Sequence, residues 1–113
     1  MQPDVLVIGA GPAGSTLAWR LARAGFAVTI ADRAVFPRDK PCGEFLSPEC
    51  APCLAELGLH DLPGQLGAVP VPGMRLSGFG CTAHGRFRQL PDRAGHGRCG
   101  FGLRRVVLDD ALL

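Results

Sequence analysis

The feature that most constrains this chain is a run of aliphatic residues that leads directly into a glycine-rich turn. Val5–Ile8 predicts a short strand that is buried on both faces, as the strands of parallel sheets are. Glycines follow with the spacing G-x-G-x-x-G, at Gly9, Gly11 and Gly14. In such a turn the first glycine allows a sharp exit from the strand, the second lets a diphosphate approach the main chain, and the third lets the helix lie close to the strand. The turn therefore predicts a phosphate site at a helix N-terminus, where N–H groups and the helix dipole favour an anion.

The residues after the turn supply the context that this motif requires. The apolar residues of the next segment fall on one face of a predicted helix: Leu17, Ala18, Leu21 and Ala22. Gly25 ends this helix, Phe26–Ala31 predicts a second strand, and Asp32 stands at the end of that strand. An acid about 20 residues beyond the glycine turn is where the ribose hydroxyls of a dinucleotide bind. We therefore predict a Rossmann-like β-α-β unit that binds a dinucleotide; the alternative is an ordinary β-α-β turn with a surface aspartate.

Composition and charge exclude several classes of function. The 113 residues suffice for one domain at most, and 47% of them are hydrophobic, which is enough for a packed core. The formal charge of +2 and the scattered arginines argue against a nucleic-acid partner. The first residues lack the basic region of a signal peptide, and no apolar run approaches the length of a transmembrane helix.

Cysteine spacing gives no support for a metal site. Cys50 and Cys53 form a C-x-x-C pair, but no second pair of this kind and no histidine pair at ligand spacing follows. We therefore predict no metal. The odd total of five cysteines favours reduced thiols and a cytoplasmic protein.

The middle of the chain predicts a loop and a second helix. Ala34–Leu46 contains prolines, a glycine and mixed charges, which indicate a loop. Ser47 followed by Pro48 is a helix start signal, and the helix that it predicts runs to Leu57 with Gly58 as its C-cap. Residues 60–67 predict a further loop.

The character of the sequence changes at residue 68. Apolar residues now alternate with prolines and glycines, which predicts short antiparallel strands, with a further strand at residues 86–88. A polar loop over 91–99, a short strand over 100–104 and a helix from Val106 or Val107 complete the chain. We expect an α/β fold with residues 1–67 as the dinucleotide-binding unit, 68–103 as part of a β-rich second domain, and 104–113 as the return to the first. Because a doubly wound sheet needs more than two parallel strands, we expect an incomplete fold, the N-terminal portion of a longer protein.

Three segments resemble the geranylgeranyl reductase family, which belongs to the superfamily of flavoproteins that includes p-hydroxybenzoate hydroxylase. Val7–Ser15, together with Asp32 and Arg33, looks like the FAD-binding start of these proteins. Lys40–Pro48, K-P-C-G-E-F-L-S-P, is similar to the family segment K-x-C-G-(G/E)-G-L-S-P. Arg105–Asp109 is similar to the family segment R-x-x-(F/L)-D at the return to the FAD domain.

The resemblance implies an FAD site whose members can be named. They are Gly9, Gly11, Ala13 and Gly14 at the diphosphate, Asp32 at the adenosine ribose, Cys42 and Gly43 near the isoalloxazine, and Arg105 on the returning helix. Arg33, which follows Asp32, is a further candidate for contact with the adenine or a phosphate, with an exposed arginine as the alternative. Phe45 departs from the family pattern, which usually has glycine there. No side chain in the chain indicates an acid–base catalyst.

The function that the resemblance implies is that of an FAD-dependent oxidoreductase. NAD(P)H would reduce the flavin, which would act on a small apolar or lipid-like substrate, as an alkene reductase or as a monooxygenase. One alternative is an NAD-dependent dehydrogenase, which leaves Lys40–Pro48 unexplained. The other is a truncated, non-catalytic dinucleotide-binding fragment. We expect residues 1–113 alone to be inactive and the oligomeric state to stay open.

Overall fold

In the computed structural model, residues 2–87 and 99–113 are described. Their elements, in chain order, are β1 (Val5–Ile8), α1 (Pro12–Arg23), β2 (Val28–Ala31), β3 (Phe45–Leu46), α2 (Cys50–Glu56), α3 (Leu62–Gln65), β4 (Val69–Val71), β5 (Gly73–Gly78), β6 (Cys81–Arg86), β7 (Gly100–Gly102) and α4 (Arg105–Leu112). Residues 91–98 of the loop predicted over 91–99, and Arg88 of the strand predicted over 86–88, lie outside the described residues. Of that predicted strand, Arg86 is the last residue of β6 and Phe87 is not in a strand. None of the helices in the described ranges has the length and apolar character needed to cross a bilayer.

The chain forms two compact units. The first contains the chain up to Pro41 together with Arg105–Leu113, and the second contains Cys42–Arg104. By contact, residues 42–67 thus belong with the later strands, whereas the sequence groups them with the β-α-β unit. The reason is that Phe45–Leu46 pairs with β7. The functional division into 1–67, 68–103 and 104–113 stays a prediction.

The first unit is built on the predicted β-α-β arrangement. β1 and β2 are parallel neighbours, with Val5 opposite Val28 and Ile8 opposite Ala31. α1 packs on both strands and on α4. Among the described residues of this unit, four apolar side chains are buried and form its core: Val7, Ala10, Ala18 and Leu108.

Glycine and main-chain bonds end α1 where the sequence predicts. Gly25 has a φ of 95°, in the left-handed region that favours glycine. Its N–H donates to the Ala22 carbonyl, and the Phe26 N–H donates to the Leu21 carbonyl. Because Phe26 is used to close the helix in this way, β2 begins at Val28 and not at Phe26 as predicted.

The second unit contains two antiparallel sheets. In one of them β7 lies between β3 and β4, and in the other β5 and β6 form a hairpin. The hairpin turn is at Phe79 and Gly80, whose φ angles of 51° and 75° are those of a type I′ turn. The short antiparallel strands predicted from residue 68 are therefore confirmed. Phe45–Leu46 corrects the prediction of a continuous loop over Ala34–Leu46, because these two residues pair with Gly102 and Phe101.

The helices of the second unit confirm one predicted boundary and correct others. α2 begins at Cys50 and not at Pro48, because the Ser47 carbonyl accepts the Cys50 N–H in a preceding turn. Gly58 is confirmed as the residue that ends α2: its φ is 74°, and the next N–H returns to the Leu54 carbonyl. The predicted loop over 60–67 contains the short helix α3. In the first unit, α4 begins at Arg105 and not at Val106 or Val107 as predicted.

Candidate cofactor-binding site

The turn between β1 and α1 has the geometry that its glycines predict. Gly9 has a φ of 106°, and its N–H donates to the Ala31 carbonyl at 2.7 Å. A Cβ on Gly14 would collide with the carbonyl oxygen of Gly9 and would lie 3.4 Å from a methyl group of Val7. Only glycine allows α1 to lie this close to the turn and to β1.

The N-terminus of α1 faces the turn without a capping side chain. Gly11 is the N-cap residue, Pro12 is the first helical residue, and no described side chain donates or accepts a capping hydrogen bond there. The first turn of α1 also has no acidic residue. Because Pro12 has no N–H, the first main-chain donors of the helix belong to Ala13 and Gly14. This end of the helix therefore suits an anionic group.

Asp32 is attached to the glycine turn through its carboxylate. Oδ2 accepts the Ala10 N–H at 2.8 Å, and Oδ1 accepts the Ala34 N–H at 2.8 Å. These bonds, with that from Ala10 having the largest effect, hold the pKa of Asp32 below its ordinary value of 3.8, and the nearby charges of Arg38 and Arg33 act in the same direction. The carboxylate is therefore ionised at neutral pH. Each oxygen has a second lone pair, with which it can accept a hydroxyl group.

Two neighbouring cavities of about 470 and 500 Å³ open at this edge of the sheet. Both are lined by Ile8, Gly9, Asp32, Arg38 and Lys40. The first also includes Arg33, and the second also includes the remaining turn residues Gly11, Ala13 and Gly14 together with Arg105. We refer to the two cavities together as the crevice.

The structure thus brings together most of the site residues that the sequence predicts. Gly9, Gly11, Ala13, Gly14, Asp32, Arg33 and Arg105 all line the crevice. Cys42 and Gly43 belong to the second unit, where Cys42 is exposed. Their place beside the isoalloxazine stays a prediction.

Two arginines that line the crevice share a buried aspartate behind it. The side chain of Asp109 is 0% exposed. Its Oδ1 accepts Nε of Arg105 at 2.7 Å, and its Oδ2 accepts Nη2 of Arg105 at 2.9 Å. Nη1 of Arg38 lies 3.1 Å from Oδ2 of the same carboxylate. We call these three residues the Arg38–Asp109–Arg105 cluster; its formal charge is +1.

The cluster faces the second glycine of the turn. The position that a Cβ on Gly11 would take lies 3.6 Å from Nη2 of Arg38 and 3.8 Å from Nη2 of Arg105. The main chain at Gly11 and both guanidinium groups therefore border one space. Planar guanidinium groups and main-chain N–H groups are the donors that phosphate oxygens prefer.

Sequence reasoning assigned no role to Arg38 or Asp109. Arg38 is one of several charged residues in a proline-containing loop, and it belongs neither to the glycine turn nor to the segments that resemble the family. Asp109 did carry a signal, because it lies four residues after Arg105, the spacing of side chains that meet on a helix.

The residues present fit an ADP-containing dinucleotide such as FAD. Nη1 of Arg38 is buried and has no hydrogen-bond partner among the described residues, since its approach to Asp109 has the geometry of an ion pair only. Nη2 of Arg38, the bare main chain at Gly11 and the Asp32 carboxylate match a diphosphate followed by a ribose. The described residues contain no group of three potential ligands that could hold a metal ion.

Comparison with known proteins leads to the same cofactor. The family model described as FAD dependent oxidoreductase matches residues 4–40. A menaquinone reductase of Mycobacterium tuberculosis is 51% identical over 77 residues, which are 68% of this chain and 18% of that protein. A geranylgeranyl diphosphate reductase of Rhodobacter capsulatus is 37% identical over 91 residues, 80% of this chain and 20% of that protein. The structure of a myxobacterial chondrochloren halogenase, an FAD-dependent enzyme, aligns with a TM-score of 0.84 at 32% identity, covering 98% of this chain and 25% of that chain.

These matches confirm the predicted fold class and its incompleteness. The chain spans about a fifth of the length of the curated relatives that it matches. Because reductases and halogenases match side by side, the comparisons do not single out the geranylgeranyl reductase family. Over the residues that match, the chain is similar to FAD-dependent oxidoreductases and to an FAD-dependent halogenase, which supports FAD as its cofactor.

Proposed function

We propose that the protein containing this chain is an oxidoreductase of the geranylgeranyl reductase family, which uses NAD(P)H as electron donor. Its substrate is a small apolar or lipid-like molecule. The observation that carries the proposal is the crevice, in which the glycine turn, Asp32 and two arginines converge. When bound, FAD supplies the two-electron chemistry, while the protein binds it, orients it and excludes water.

Each predicted residue has a defined task in this proposal. Gly11, Ala13 and Gly14 hold the diphosphate at the N-terminus of α1, and Arg105 binds it from α4. Asp32 accepts the hydroxyls of the adenosine ribose, and Arg33, which lines the same cavity, contacts the adenine or a phosphate. Cys42 and Gly43 approach the isoalloxazine, and residues 68–103 belong to the domain that receives the substrate.

The names of two relatives support the substrate class and the type of reaction. Menaquinone and geranylgeranyl diphosphate both carry long isoprenoid chains, and both relatives are named as reductases. Alkene reduction is therefore the first form of the proposal, and monooxygenation is the second. We place the protein in the cytoplasm, since its five cysteines, all within the described residues, form no disulfide.

The test is the cofactor that the full-length protein retains. We expect the purified protein to show a flavin absorbance spectrum, and mass spectrometry of the released cofactor to identify FAD. Under anaerobic conditions NADPH or NADH should bleach the flavin. A protein that retains a nicotinamide nucleotide and no flavin would support the NAD-dependent dehydrogenase, and a protein that binds neither FAD nor a nicotinamide nucleotide would overturn both.

The reaction type follows from the product. The reduced protein is mixed with an isoprenoid alkene, first without and then with oxygen. A saturated product formed without oxygen supports the reductase. A product that carries an oxygen atom from labelled O₂ supports the monooxygenase.

A further inference from the structure

We propose that Asp109 is a positioning residue for cofactor binding: its buried carboxylate holds Arg38 and Arg105 beside Gly11, where they bind the diphosphate. This inference rests on the proposed function, because it assumes that a diphosphate occupies the crevice. It assigns a task to a residue that does not line either cavity.

The burial of Asp109 is the first argument. A carboxylate removed from water is retained only where cations and hydrogen bonds compensate it. Asp109 is 0% exposed and has a two-point interaction with Arg105 and an ion pair with Arg38. Both partners keep some exposure, 17% for the side chain of Arg38 and 21% for that of Arg105, so the cations reach outward from a buried anion.

Helix stability does not explain the placement of this pair. Arg105 is the first residue of α4, where the helix dipole disfavours a positive charge. A basic residue that precedes its acidic partner by four positions is also the less favourable order. What the placement does achieve is to bring Nη2 of Arg105 within 3.8 Å of the space at Gly11.

Arg38 reaches the same space from the loop that follows β2. Its guanidinium lies over the ring of Phe36, 4.7 Å from the centroid, which fixes the side chain from one face. Asp109 fixes it from another side through Oδ2, the oxygen that also accepts Nη2 of Arg105. One carboxylate oxygen therefore sets the distance between the two guanidinium groups.

The cluster has the charge that an anion site needs. Without Asp109, two arginine charges would face each other across the crevice and repel. With Asp109 the formal charge is +1, and the donors stay directed at Gly11. We therefore expect the loss of this carboxylate to weaken diphosphate binding through misplacement of the arginines, although it makes the site more positive.

The experiment compares ligands with and without a diphosphate. Full-length protein, stripped of its flavin, is titrated calorimetrically with FAD, with ADP and with adenosine. In Asp109→Asn the affinities for FAD and ADP should fall by about tenfold to a hundredfold, as for a charge-assisted hydrogen bond. The affinity for adenosine should stay unchanged. The matched control is Asp110→Asn, which removes the same charge at an exposed neighbouring position and should leave all three affinities unchanged.

The outcomes separate this inference from the proposed function. Wild-type protein that binds neither FAD nor ADP would overturn the proposed function. Wild-type protein that binds both, combined with an Asp109→Asn variant that binds ADP equally well or more tightly, would overturn the positioning role alone. Equal losses for ADP and adenosine would show a general structural role and would also overturn it.

A second variant covers the case in which Asp109→Asn does not fold. The double variant Arg38→Gln, Asp109→Asn removes one charge of each sign from the cluster and is compared with Arg38→Gln alone. Because Arg105 also loses its partner, the double variant should bind ADP more weakly, with adenosine binding unchanged. Equal ADP affinities in the two variants would contradict the proposal.

Discussion

At the scale of single residues, Gly14 and Gly11 have different roles: Gly14 allows close packing of the main chain, and Gly11 keeps the main chain accessible to a ligand. A Cβ at Gly14 meets the main chain of Gly9, which cannot swing aside. We expect Gly14→Ala to lower the free energy of unfolding by about 1–3 kcal/mol, the range for overpacking a tight contact. Urea unfolding of the full-length protein measures this.

Gly11→Ala is the matched control for that change. Its Cβ would meet only the ends of two arginine side chains, at 3.6 and 3.8 Å. We expect the free energy of unfolding to stay within about 1 kcal/mol of wild type, the usual cost of alanine at an N-cap, while FAD affinity falls. Equal destabilisation by both substitutions would contradict this division of tasks.

Asp32 makes the free energy of unfolding depend on pH in the acid range. The N–H groups of Ala10 and Ala34 lower the pKa of this carboxyl in the folded protein. Its contribution to stability is therefore complete above the unfolded value of 3.8 and is lost as the pH falls through the lower folded value. Asp32→Asn should remove this part of the acid limb in a plot of unfolding free energy against pH.

The control for the acid limb is Asp4→Asn. Asp4 also accepts a main-chain N–H, from Ala27, but it lies at the other end of β1. This variant should keep the part of the acid limb that belongs to Asp32. If Asp32→Asn retains the wild-type pH profile, the bond between Asp32 and the turn does not contribute as the structure indicates.

Predictability at this scale depends on whether a residue belongs to the β-α-β motif or is brought to it by tertiary packing. The glycines and Asp32 belong to one continuous β-α-β path, so their spacing alone predicts where they meet. Arg38 lies on a loop whose path is set by packing. Asp109 meets it only because α4 returns to the first unit.

At the scale of elements, the packing of β7 against Phe45 requires a glycine at Gly100. A Cβ at Gly100 would enter the ring of Phe45, which stacks on Phe87 at a centroid distance of 5.8 Å. We expect Gly100→Ala to displace that ring and to lower the free energy of unfolding by about 1–3 kcal/mol. Chemical denaturation gives the energy, and a crystal structure of the variant gives the position of the ring.

Gly102→Ala is the control within the same strand. Its Cβ would make only ordinary contacts of 3.8 and 3.9 Å with Val69. The free energy of unfolding should change by no more than about 0.5 kcal/mol. A larger effect at Gly102 than at Gly100 would mean that contact with Phe45 does not limit this strand.

These strands also show why the sequence predicts some elements and not others. The β5–β6 hairpin is local, so its glycines and apolar residues suffice to predict antiparallel strands. β3 has only two residues, and its partner β7 is distant in the chain. Its stability comes from that pairing and from the contact of Phe45 with Gly100, which no local pattern reports.

At the scale of the whole molecule, the sheet of the first unit has two strands. Its apolar side chains are only partly covered: Leu6 is 56% exposed and Ile8 is 75% exposed. We expect residues 1–113 alone to be marginally stable and to bind FAD weakly at best, because so small a sheet buries little apolar surface. Circular dichroism during heating and an FAD titration test this.

The comparison is with the full-length protein under the same conditions. We expect that protein to unfold cooperatively and to retain FAD through purification. A cooperative transition and tight FAD binding by residues 1–113 would show that the described units are sufficient by themselves.

The two compact units could be predicted only in part. Composition and periodicity separate a helix-containing β-α-β segment from a β-rich segment, and both are observed. The boundary between the two units after Pro41 could not be predicted, because it depends on the pairing of Phe45–Leu46 with a later strand.

The ion pairs of Asp109 have a topological consequence. The whole second unit is inserted between Pro41 and Arg105. Arg38, shortly before the insertion, forms an ion pair with Asp109 of α4, which follows it, so this contact joins the two ends of the insertion. A nucleotide lodged between the two arginines would tie both ends of the insertion together. Binding of the flavin would therefore also stabilise the junction at which the insertion leaves and rejoins the first unit.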